Sequence, residues 1–484
     1  MQNRFIKKAI VIGAGPSGLF AARKLQRQGV KTIVLESADH VGGKCYTYSD
    51  PVNPMLKTEW GAALVAPNYG EVIDAIVENQ INWEKVLPAD TSKLTQTQQL
   101  HQMTWLGKLK YGTAFLMEMM RFNRYVEEYN RCKDAQSDLP EDFKLPFEVF
   151  AKKHSLEKIN EFAKLFVPAF GYGAMSVCPA HAVFEYFGKT TILSIVASPF
   201  FMHREGFNSI QNGYQSLMEK VAEPLRVKLN VRIDQINRDE NGVTVKYKGD
   251  DRMHHHLNAD ALVIATSPYQ WQSFGMALTS VEKQCIDDLT YYRYPVAVVK
   301  LWGFPPKHYF TEEGTKLSGV GKLALITTRD NRDDPEDGRL CTAYINQPMN
   351  DDHFEFTNET IKRLKDDLLD VPGVSKVRLV STKIWEDYMP SLPWKTRLAL
   401  EKAQMSPKTN TLYVGAYPLG GFEDVACVVS QSTKAVDRYI LQNDPANDES
   451  YYKDYQRARL FYLHPIVPPM NDEIFNQSKA NKKS

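Results

Sequence analysis

The sequence predicts an α/β fold organised around a parallel β-sheet. A short apolar run rich in β-branched residues, 9–12, is followed directly by a glycine-rich loop and then by a stretch with helical spacing. A second run, 31–35, ends in an acidic residue, and a third, 411–416, again leads through glycines into a helical stretch. Apolar runs that alternate with helices indicate βαβ units, and therefore a parallel sheet covered on both faces.

The loop after the first run has the spacing Gly-x-Gly-x-x-Gly, formed by Gly13, Gly15 and Gly18, with Pro16 and Ser17 between the last two. Gly13 permits the tight turn and Gly15 lets backbone N–H groups approach a pyrophosphate. Gly18 lets the following helix pack close to the strand. The phosphates of a dinucleotide would then lie at a helix N-terminus, whose free N–H groups and partial positive charge favour anions.

Glu36, followed by Ser37, ends the second run at about 20 residues from the glycines, as the dinucleotide fingerprint requires. A carboxylate there can accept hydrogen bonds from both ribose hydroxyls and would repel a 2′-phosphate. The alternative is a glycine-rich turn in an ordinary βαβ unit. The strand, helix and acid together favour a dinucleotide site.

Gly42, Gly43 and Lys44 follow Glu36 after five residues. The continuation E-x(5)-GG[RK] resembles that of flavoproteins related to amine oxidases and phytoene desaturases. Its glycines permit a turn against the cofactor, and Lys44 can neutralise phosphate charge. The continuation favours FAD over NAD.

Composition and net charge limit the kinds of partner that the protein can have. The chain has 484 residues, of which 43% are hydrophobic and 24% charged, which is ordinary for a soluble globular protein. Its 59 basic and 58 acidic residues give a net charge of +1. We therefore expect no nucleic-acid partner and no basic amphipathic cluster that requires an anionic membrane.

We expect a cytoplasmic protein without a transmembrane segment, because no uninterrupted apolar stretch reaches the length of a membrane span. The basic and apolar N-terminus could resemble a secretory signal, but it contains the first strand and the phosphate loop. The six cysteines are scattered without C-x-x-C pairs and indicate reduced thiols. His254, His255 and His256 could suggest a metal, but neighbours on a strand point to opposite faces, so we predict no metal site.

The ends of the chain resemble the FAD-dependent amine oxidase and desaturase superfamily. Three segments, 39–45, 145–173 and 421–427, look closer still to the bacterial polyunsaturated fatty acid double-bond isomerases of that superfamily. The resemblance implies a Rossmann-type FAD-binding domain assembled from several chain segments, with a helical cap and a mixed α/β substrate domain. We expect cofactor-domain segments at 1–68, 206–290 and 396–441, a helical cap at 69–205, a substrate domain at 291–395 and a tail at 442–484.

The resemblance also implies further cofactor contacts. The last helix would direct its N-terminus at the pyrimidine end of the flavin, where the reduced ring carries negative charge. Phe422 would lie beside the isoalloxazine, with an ordinary core phenylalanine as the alternative. Cys427 lies inside that helix rather than upstream of it, so non-covalent FAD is expected. The other implied contacts are Val231, Ala265, Gly415, Gly421 and Val425.

The chemistry implied by the resemblance is hydride transfer through flavin N5. A hydride would leave an allylic carbon and return to a different carbon. This isomerisation needs a dry, elongated channel rather than a side-chain base. The expected substrate is a small apolar molecule such as an unsaturated fatty acid, isomerised or desaturated. A stripe of Phe, Leu, Met and Tyr at 115–129 favours ordinary helix core over a cofactor contact.

Lys300 supports an alternative function. Its strand, 294–300, resembles the amine oxidase strand whose lysine holds a water against flavin N5, and Trp385 resembles a tryptophan of the same enzymes. That role would make the protein an amine oxidase that uses oxygen, with Lys300 catalytic. A solvent-facing lysine is the structural alternative. A third possibility is a non-catalytic FAD-binding protein.

Overall fold

A computed structural model describes residues 6–66, 68–187, 207–346 and 354–441. The expected tail at 442–484 lies outside the described residues, as do residues 188–206 between the expected cap and the second cofactor segment.

The strands, numbered in chain order, are β1 (Lys8–Ile12), β2 (Lys31–Leu35), β3 (Thr47–Ser49), β4 (Lys57–Glu59), β5 (Trp83–Lys85), β6 (Ala89–Asp90), β7 (Asn208–Ile210), β8 (Arg226–Lys228), β9 (Arg232–Asp239), β10 (Gly242–Lys248), β11 (His254–Ala259), β12 (Ala261–Ile264), β13 (Thr290–Trp302), β14 (His308–Phe310), β15 (Leu323–Thr328), β16 (Arg339–Ile345), β17 (Lys376–Ser391) and β18 (Thr411–Tyr413).

The α-helices are α1 (Pro16–Arg27), α2 (Gly70–Glu78), α3 (Thr95–Gln102), α4 (Trp105–Asp134), α5 (Phe147–Lys153), α6 (Glu157–Phe166), α7 (Ala180–Tyr186), α8 (Tyr214–Ala222), α9 (Ser280–Asp287), α10 (Asn358–Leu369), α11 (Trp394–Ala403) and α12 (Val425–Val436). Among the described residues, no helix is both long and apolar enough to cross a bilayer.

The predicted parallel sheet is confirmed. Its five strands have the order β18-β12-β1-β2-β8, so early, middle and late parts of the chain all contribute. Ile10 at the centre pairs with Ile33 on one side and Leu262 on the other. Because both faces of such a sheet are covered, its strands are continuous apolar runs.

Alternate side chains of the sheet pack into two different cores. Val11 joins the core formed with α1, α8 and α12. Ile10 and Ile12 join the core on the opposite face, which includes Val245 of the β9–β11 antiparallel sheet and Trp271. The sheet therefore separates a helical layer from a second, largely antiparallel layer.

The run 227–233 does not form a single strand. β8 ends at Lys228 and β9 begins at Arg232, and Asn230 between them has a positive φ of 54°. The backbone turns here because β8 belongs to the parallel sheet whereas β9 belongs to the antiparallel one. Val231 lies in this turn rather than in a strand.

The helical cap contains α3 to α7. The stripe at 115–129 is only partly core: Phe115, Phe122 and Tyr129 are buried, but Leu116 and Met120 are more than half exposed. Helical spacing placed the hydrophobic residues on one helix, but it could not determine which of its faces is covered.

The expected mixed substrate domain is built on a six-stranded sheet of order β17-β13-β16-β15-β14-β6. On one face, Ala297 and Val299 of β13 pack with side chains of α10. On the other face, Val296 and Val298 pack with Trp60. The second face is therefore turned towards the cofactor domain.

Candidate active site

A cavity of about 1020 Å³ lies where the strands of the parallel sheet end. Ile12, Leu35 and Val414, each at the carboxyl end of a strand or just beyond it, line one side. Side chains from β13, β16 and β17 line the opposite side. Ligands of open α/β sheets bind at this edge.

The predicted phosphate loop lines the cavity with Gly13, Gly15, Pro16 and Ser17. Gly18 does not line it. A Cβ added to Gly18 would lie 1.9 Å from the carbonyl oxygen of Gly13, so Gly18 allows α1 to pack against the loop.

Glu36 is joined to this loop by short hydrogen bonds. Its Oε2 accepts from the backbone N–H of Ala14 at 2.6 Å, and its Oε1 accepts from Ala38 N–H at 2.8 Å and from the Ser37 hydroxyl at 3.2 Å. The backbone N–H of Val231 donates to the Glu36 carbonyl at 2.8 Å. All four residues other than Ala14 line the cavity. Sequence-distant groups thus form one unit beside the phosphate loop.

The remaining predicted cofactor residues divide into two groups. Gly43, Ala265, Gly415 and Val425 line the cavity. Gly42, Gly421 and Phe422 are not among the lining residues of the described chain. The backbone N–H of Gly42 donates to the Ala14 carbonyl at 2.9 Å, which fixes the turn against the phosphate loop.

Gly421 and Phe422 act behind the cavity wall. A Cβ at Gly421 would lie 2.2 Å from the Gly415 carbonyl oxygen, so this glycine permits close backbone packing. The ring of Phe422 packs against those of Tyr172, at 4.8 Å, and Tyr186, at 5.5 Å. The structure thus shows how both residues pack within the protein, and their direct contact with the flavin stays a prediction.

Lys44 lines the cavity but is paired within the protein. Its ammonium lies 2.9 Å from the carboxylate of Glu423 and donates to the carbonyl oxygens of Asp387 and Tyr388 at 2.7 and 2.8 Å. Burial raises the pKa of Glu423, and the nearby Lys44 opposes that shift. Lys44 ties the loop after Gly43 to β17 and to the start of α12, and the expected neutralisation of phosphate charge stays a prediction.

Lys300 is not among the residues that line the cavity in the described structure. Its ammonium lies 2.9 Å from Asp50 and 3.0 Å from Asp337. Burial lowers the pKa of Lys300, but the two carboxylates outweigh it and the net shift is upward. The ammonium of Lys300 is used in ion pairs with these two carboxylates, and its expected role of holding a water at the flavin stays a prediction.

The N-terminus of α12 faces the cavity through Val425 but is capped by its own chain. Asp424 Oδ1 accepts from the backbone N–H groups of Ala426 and Cys427 at 3.0 and 3.1 Å, and the hydroxyl of Tyr69 donates to the same carboxyl group. Burial raises the pKa of Asp424. Part of the helix dipole is therefore balanced by a protein carboxyl group.

An aromatic wall covers the side of the cavity opposite the phosphate loop. We define it as Tyr172, Tyr294, Tyr344, Tyr388 and Trp385. The ring of Tyr294 lies 4.6 Å from that of Tyr388 and 5.3 Å from that of Tyr344, and Tyr388 lies 6.2 Å from Tyr172. The four tyrosines of the wall thus form a continuous packed set of rings.

The wall depends on the Phe-Gly-Tyr-Gly segment at 170–173. Gly171 has a φ of +81°, and a Cβ there would lie 2.8 Å from the ring of Tyr388 and 3.0 Å from that of Tyr294. The Tyr294 hydroxyl donates to the Ala169 carbonyl at 2.5 Å, and the Tyr172 hydroxyl donates to the Glu423 carbonyl at 2.7 Å. Burial raises the pKa of both tyrosines well above the usual value, so they stay neutral.

Lys383 lines the cavity beside the aromatic wall, and the sequence analysis missed it. Its ammonium lies 4.3 Å from the ring centroid of Trp385 and 5.5 Å from that of Tyr46. In the described part of the chain no carboxylate lies within ion-pair distance of it, whereas the cavity-lining Lys44 has Glu423. Burial lowers the pKa of Lys383. Its position two residues before Trp385 on a strand was the available signal, because such residues share a face.

The residues around the cavity fit a dinucleotide. A Cβ added to Gly15 would have the Gly43 Cα, at 3.8 Å, as its nearest neighbour, so the loop backbone is open to a ligand. The hydroxyl of Thr266 is buried in the cavity wall without a partner among the described residues. The cavity volume lies at the top of the range of roughly 300–1000 Å³ for ligand pockets, as a large cofactor beside a substrate requires.

Comparison with known proteins identifies a family and several relatives. Residues 16–370 match the family described as flavin containing amine oxidoreductase. Beta-cyclopiazonate dehydrogenase of Aspergillus flavus is 24% identical over 339 residues, which are 67% of this chain and 69% of that protein.

Two solved structures show the same fold. A CLA-producing fatty acid isomerase from P. acnes has a TM-score of 0.72 at 20% identity, covering 90% of this chain and 98% of that one. Putrescine oxidase bound to putrescine has a TM-score of 0.61 at 16% identity, covering 89% and 98%. Because the family match covers residues 16–370, well over half of its length, the chain belongs to the flavin-containing amine oxidoreductase family and is an FAD-dependent oxidoreductase.

Proposed function

We propose that the substrate is an elongated apolar carboxylic acid, of the class of an unsaturated fatty acid, which the enzyme isomerises or desaturates. The observation that carries the proposal is the aromatic wall together with Lys383, whose ammonium has no carboxylate partner among the described residues. FAD, when bound, supplies a hydride acceptor and donor at its N5. Glu36 and the phosphate loop would position it.

The aromatic wall would hold the hydrocarbon chain and exclude water. The hydroxyls of Tyr172 and Tyr294 donate to backbone carbonyls, so their rings present apolar surface to the cavity. Ring faces attract positive charge. The wall would therefore stabilise the positive charge on a substrate carbon that loses hydride. This step would need no side-chain base.

Lys383 would bind the carboxylate of the acid. An ammonium ion and a carboxylate form a charge-assisted hydrogen bond, and the rings of Trp385 and Tyr46 already hold the lysine in place. The same charge disfavours an amine substrate, because two cations in a partly desolvated site repel each other.

The position of Lys300 supports the proposal over the amine oxidase alternative. Lys300 is held by Asp50 and Asp337 away from the lining residues. The structural likeness to a fatty acid isomerase supports the proposal, while the likeness to putrescine oxidase supports the alternative.

The test is anaerobic titration of the FAD-loaded enzyme with matched pairs of ligands. Each pair consists of a polyunsaturated fatty acid and the primary amine with the same hydrocarbon chain. The proposal predicts that the acid perturbs or bleaches the flavin spectrum and that the amine does so weakly. Bleaching by the amine alone would contradict the proposal and favour the oxidase.

A further inference from the structure

We propose that the outer face of α4 binds the surface of an anionic phospholipid bilayer. The inference is independent of the proposed substrate. It rests on six large apolar side chains of α4 that are between 52% and 74% exposed, which we call the α4 stripe: Trp105, Leu106, Leu109, Leu116, Met117 and Met120.

The α4 stripe is one continuous face. At 3.6 residues per turn, its six residues fall within an arc of about 120°, and at 1.5 Å per residue the stripe is about 22 Å long. Phe115, Phe122 and Val126, which pack into the helical cap, lie on the opposite side of the helix. Thr113 is the polar residue within the arc, and its hydroxyl donates to the Lys110 carbonyl at 3.0 Å. Helix α4 is therefore apolar on two faces, and the cap covers one of them.

The charges beside the stripe are positive. Residues 103–126 contain four basic residues and a single acidic one, Glu118, although the whole chain has a net charge of only +1, and the further acidic residues of α4 begin at Glu127, beyond the last residue of the stripe. Glu118 is buried and accepts from the backbone N–H groups of Lys158 and Ile159. Lys108, Lys110 and Arg124 are exposed. Composition alone predicts no basic amphipathic cluster that requires an anionic membrane, because the excess of basic residues is local to α4.

These features match a helix that lies in a membrane interface. Such helices combine Trp and Leu on one face with flanking Lys and Arg, and they insert the apolar face among the lipid head groups. Anionic lipids attract the basic side chains. A second copy of the chain fits less well, because a symmetric contact would bring the two basic rims together. An apolar patch rimmed by charge marks an interaction site.

The experiment is flotation of the FAD-loaded full chain with vesicles of phosphatidylcholine, with or without phosphatidylglycerol. The stripe variant is Leu109→Glu with Met117→Glu. The matched control is Met55→Glu with Met253→Glu, which changes two methionines that are 83% and 63% exposed elsewhere on the protein. Retention of FAD by each variant shows that it is folded.

The proposal predicts that wild type and control float with the anionic vesicles, and that the stripe variant floats at least about tenfold less. High salt should weaken the binding of wild type. Equal flotation of the stripe variant and control would overturn the proposal, as would wild type that stays with the unbound protein. A wild-type oligomer that dissociates in the stripe variant would instead assign the stripe to a second copy.

If the stripe variant loses FAD, brominated lipid provides an independent readout. Quenching of wild-type tryptophan fluorescence by brominated vesicles, and its loss in Trp105→Phe, would support insertion of α4. Identical quenching in the two proteins would refute it.

Discussion

Substitution of Lys383 by methionine tests the proposed carboxylate anchor. Methionine keeps most of the chain length and the contact with the ring of Trp385 but removes the charge. A hydrogen bond to a charged group contributes about 1.5–3 kcal/mol, and 1.4 kcal/mol corresponds to tenfold in affinity. Because Lys383 is only partly buried, solvent screening favours the lower end. The KM for a fatty acid should rise about tenfold.

The kcat of Lys383→Met should change little, because the anchor contributes equally to ground-state and transition-state binding. The assay is steady-state turnover of a polyunsaturated fatty acid, with FAD content measured in parallel. Lys376→Met is the matched control. Lys376 is on β17, as Lys383 is, and its ammonium lies 4.4 Å from the ring centroid of Trp302, but it does not line the cavity in the described structure. Unchanged KM in Lys383→Met would refute the anchor, and loss of FAD with unchanged KM would assign Lys383 to the cofactor.

Three further outcomes follow from the contacts. Gly15→Val should give folded, colourless protein, because an added Cβ has free space in the chain itself but would occupy the pyrophosphate position; retained FAD on a visible spectrum would contradict this. Lys300→Met should leave flavin reoxidation by oxygen unchanged in stopped flow, yet lower the free energy of unfolding by about 3 kcal/mol, because buried Asp50 loses its partner. Burial raises the pKa of the Glu71 carboxyl group to about 7, from an ordinary value near 4.5. Between these two pH values the folded state binds a proton at Glu71 that the unfolded state has lost. The free energy of unfolding should therefore fall as pH rises from about 4.5 to 7. Glu71→Gln should flatten that part of the curve of unfolding free energy against pH, and an unchanged slope would count against the shift.

The meeting of the glycine loop and Glu36 at the cavity could be predicted from sequence because the signals are local. The first strand, the glycine loop and Glu36 lie within about one βαβ unit, and the short hydrogen bond from Ala14 N–H to Glu36 joins residues only 22 apart. The spacing of such a unit is fixed by backbone geometry. Residue type and spacing were therefore sufficient to predict that the glycine loop and Glu36 lie together.

The substrate half could not be predicted in the same way. Lys300 and Tyr294 share a face of β13, but six residues of strand separate them by about 20 Å, and the cavity ends at Tyr294. The register of β13 against β17, where Tyr294 is opposite Trp385, decides which residue reaches the cavity. Pairing of this kind is set by the whole sheet and not by the strand's own sequence.

Lys44 and α4 are two further features that the local sequence could not predict. The partner of Lys44 is Glu423, 379 positions away along the chain, so its charge could not be assigned from the local motif. Helix α4 has apolar residues on two faces, and the sequence alone does not distinguish the face that the cap buries from the one that stays exposed.

Product analysis under turnover, with oxygen consumption recorded, tests the central claim most directly. The enzyme would be given a polyunsaturated fatty acid and, separately, the amine of the same chain. An isomerase returns the hydride to the substrate, so the account predicts a conjugated diene from the acid with no oxygen consumed. Desaturation of the acid, which the proposal also includes, would instead require an electron acceptor. Oxygen consumption with an aldehyde formed from the amine, and no change in the acid, would contradict the account.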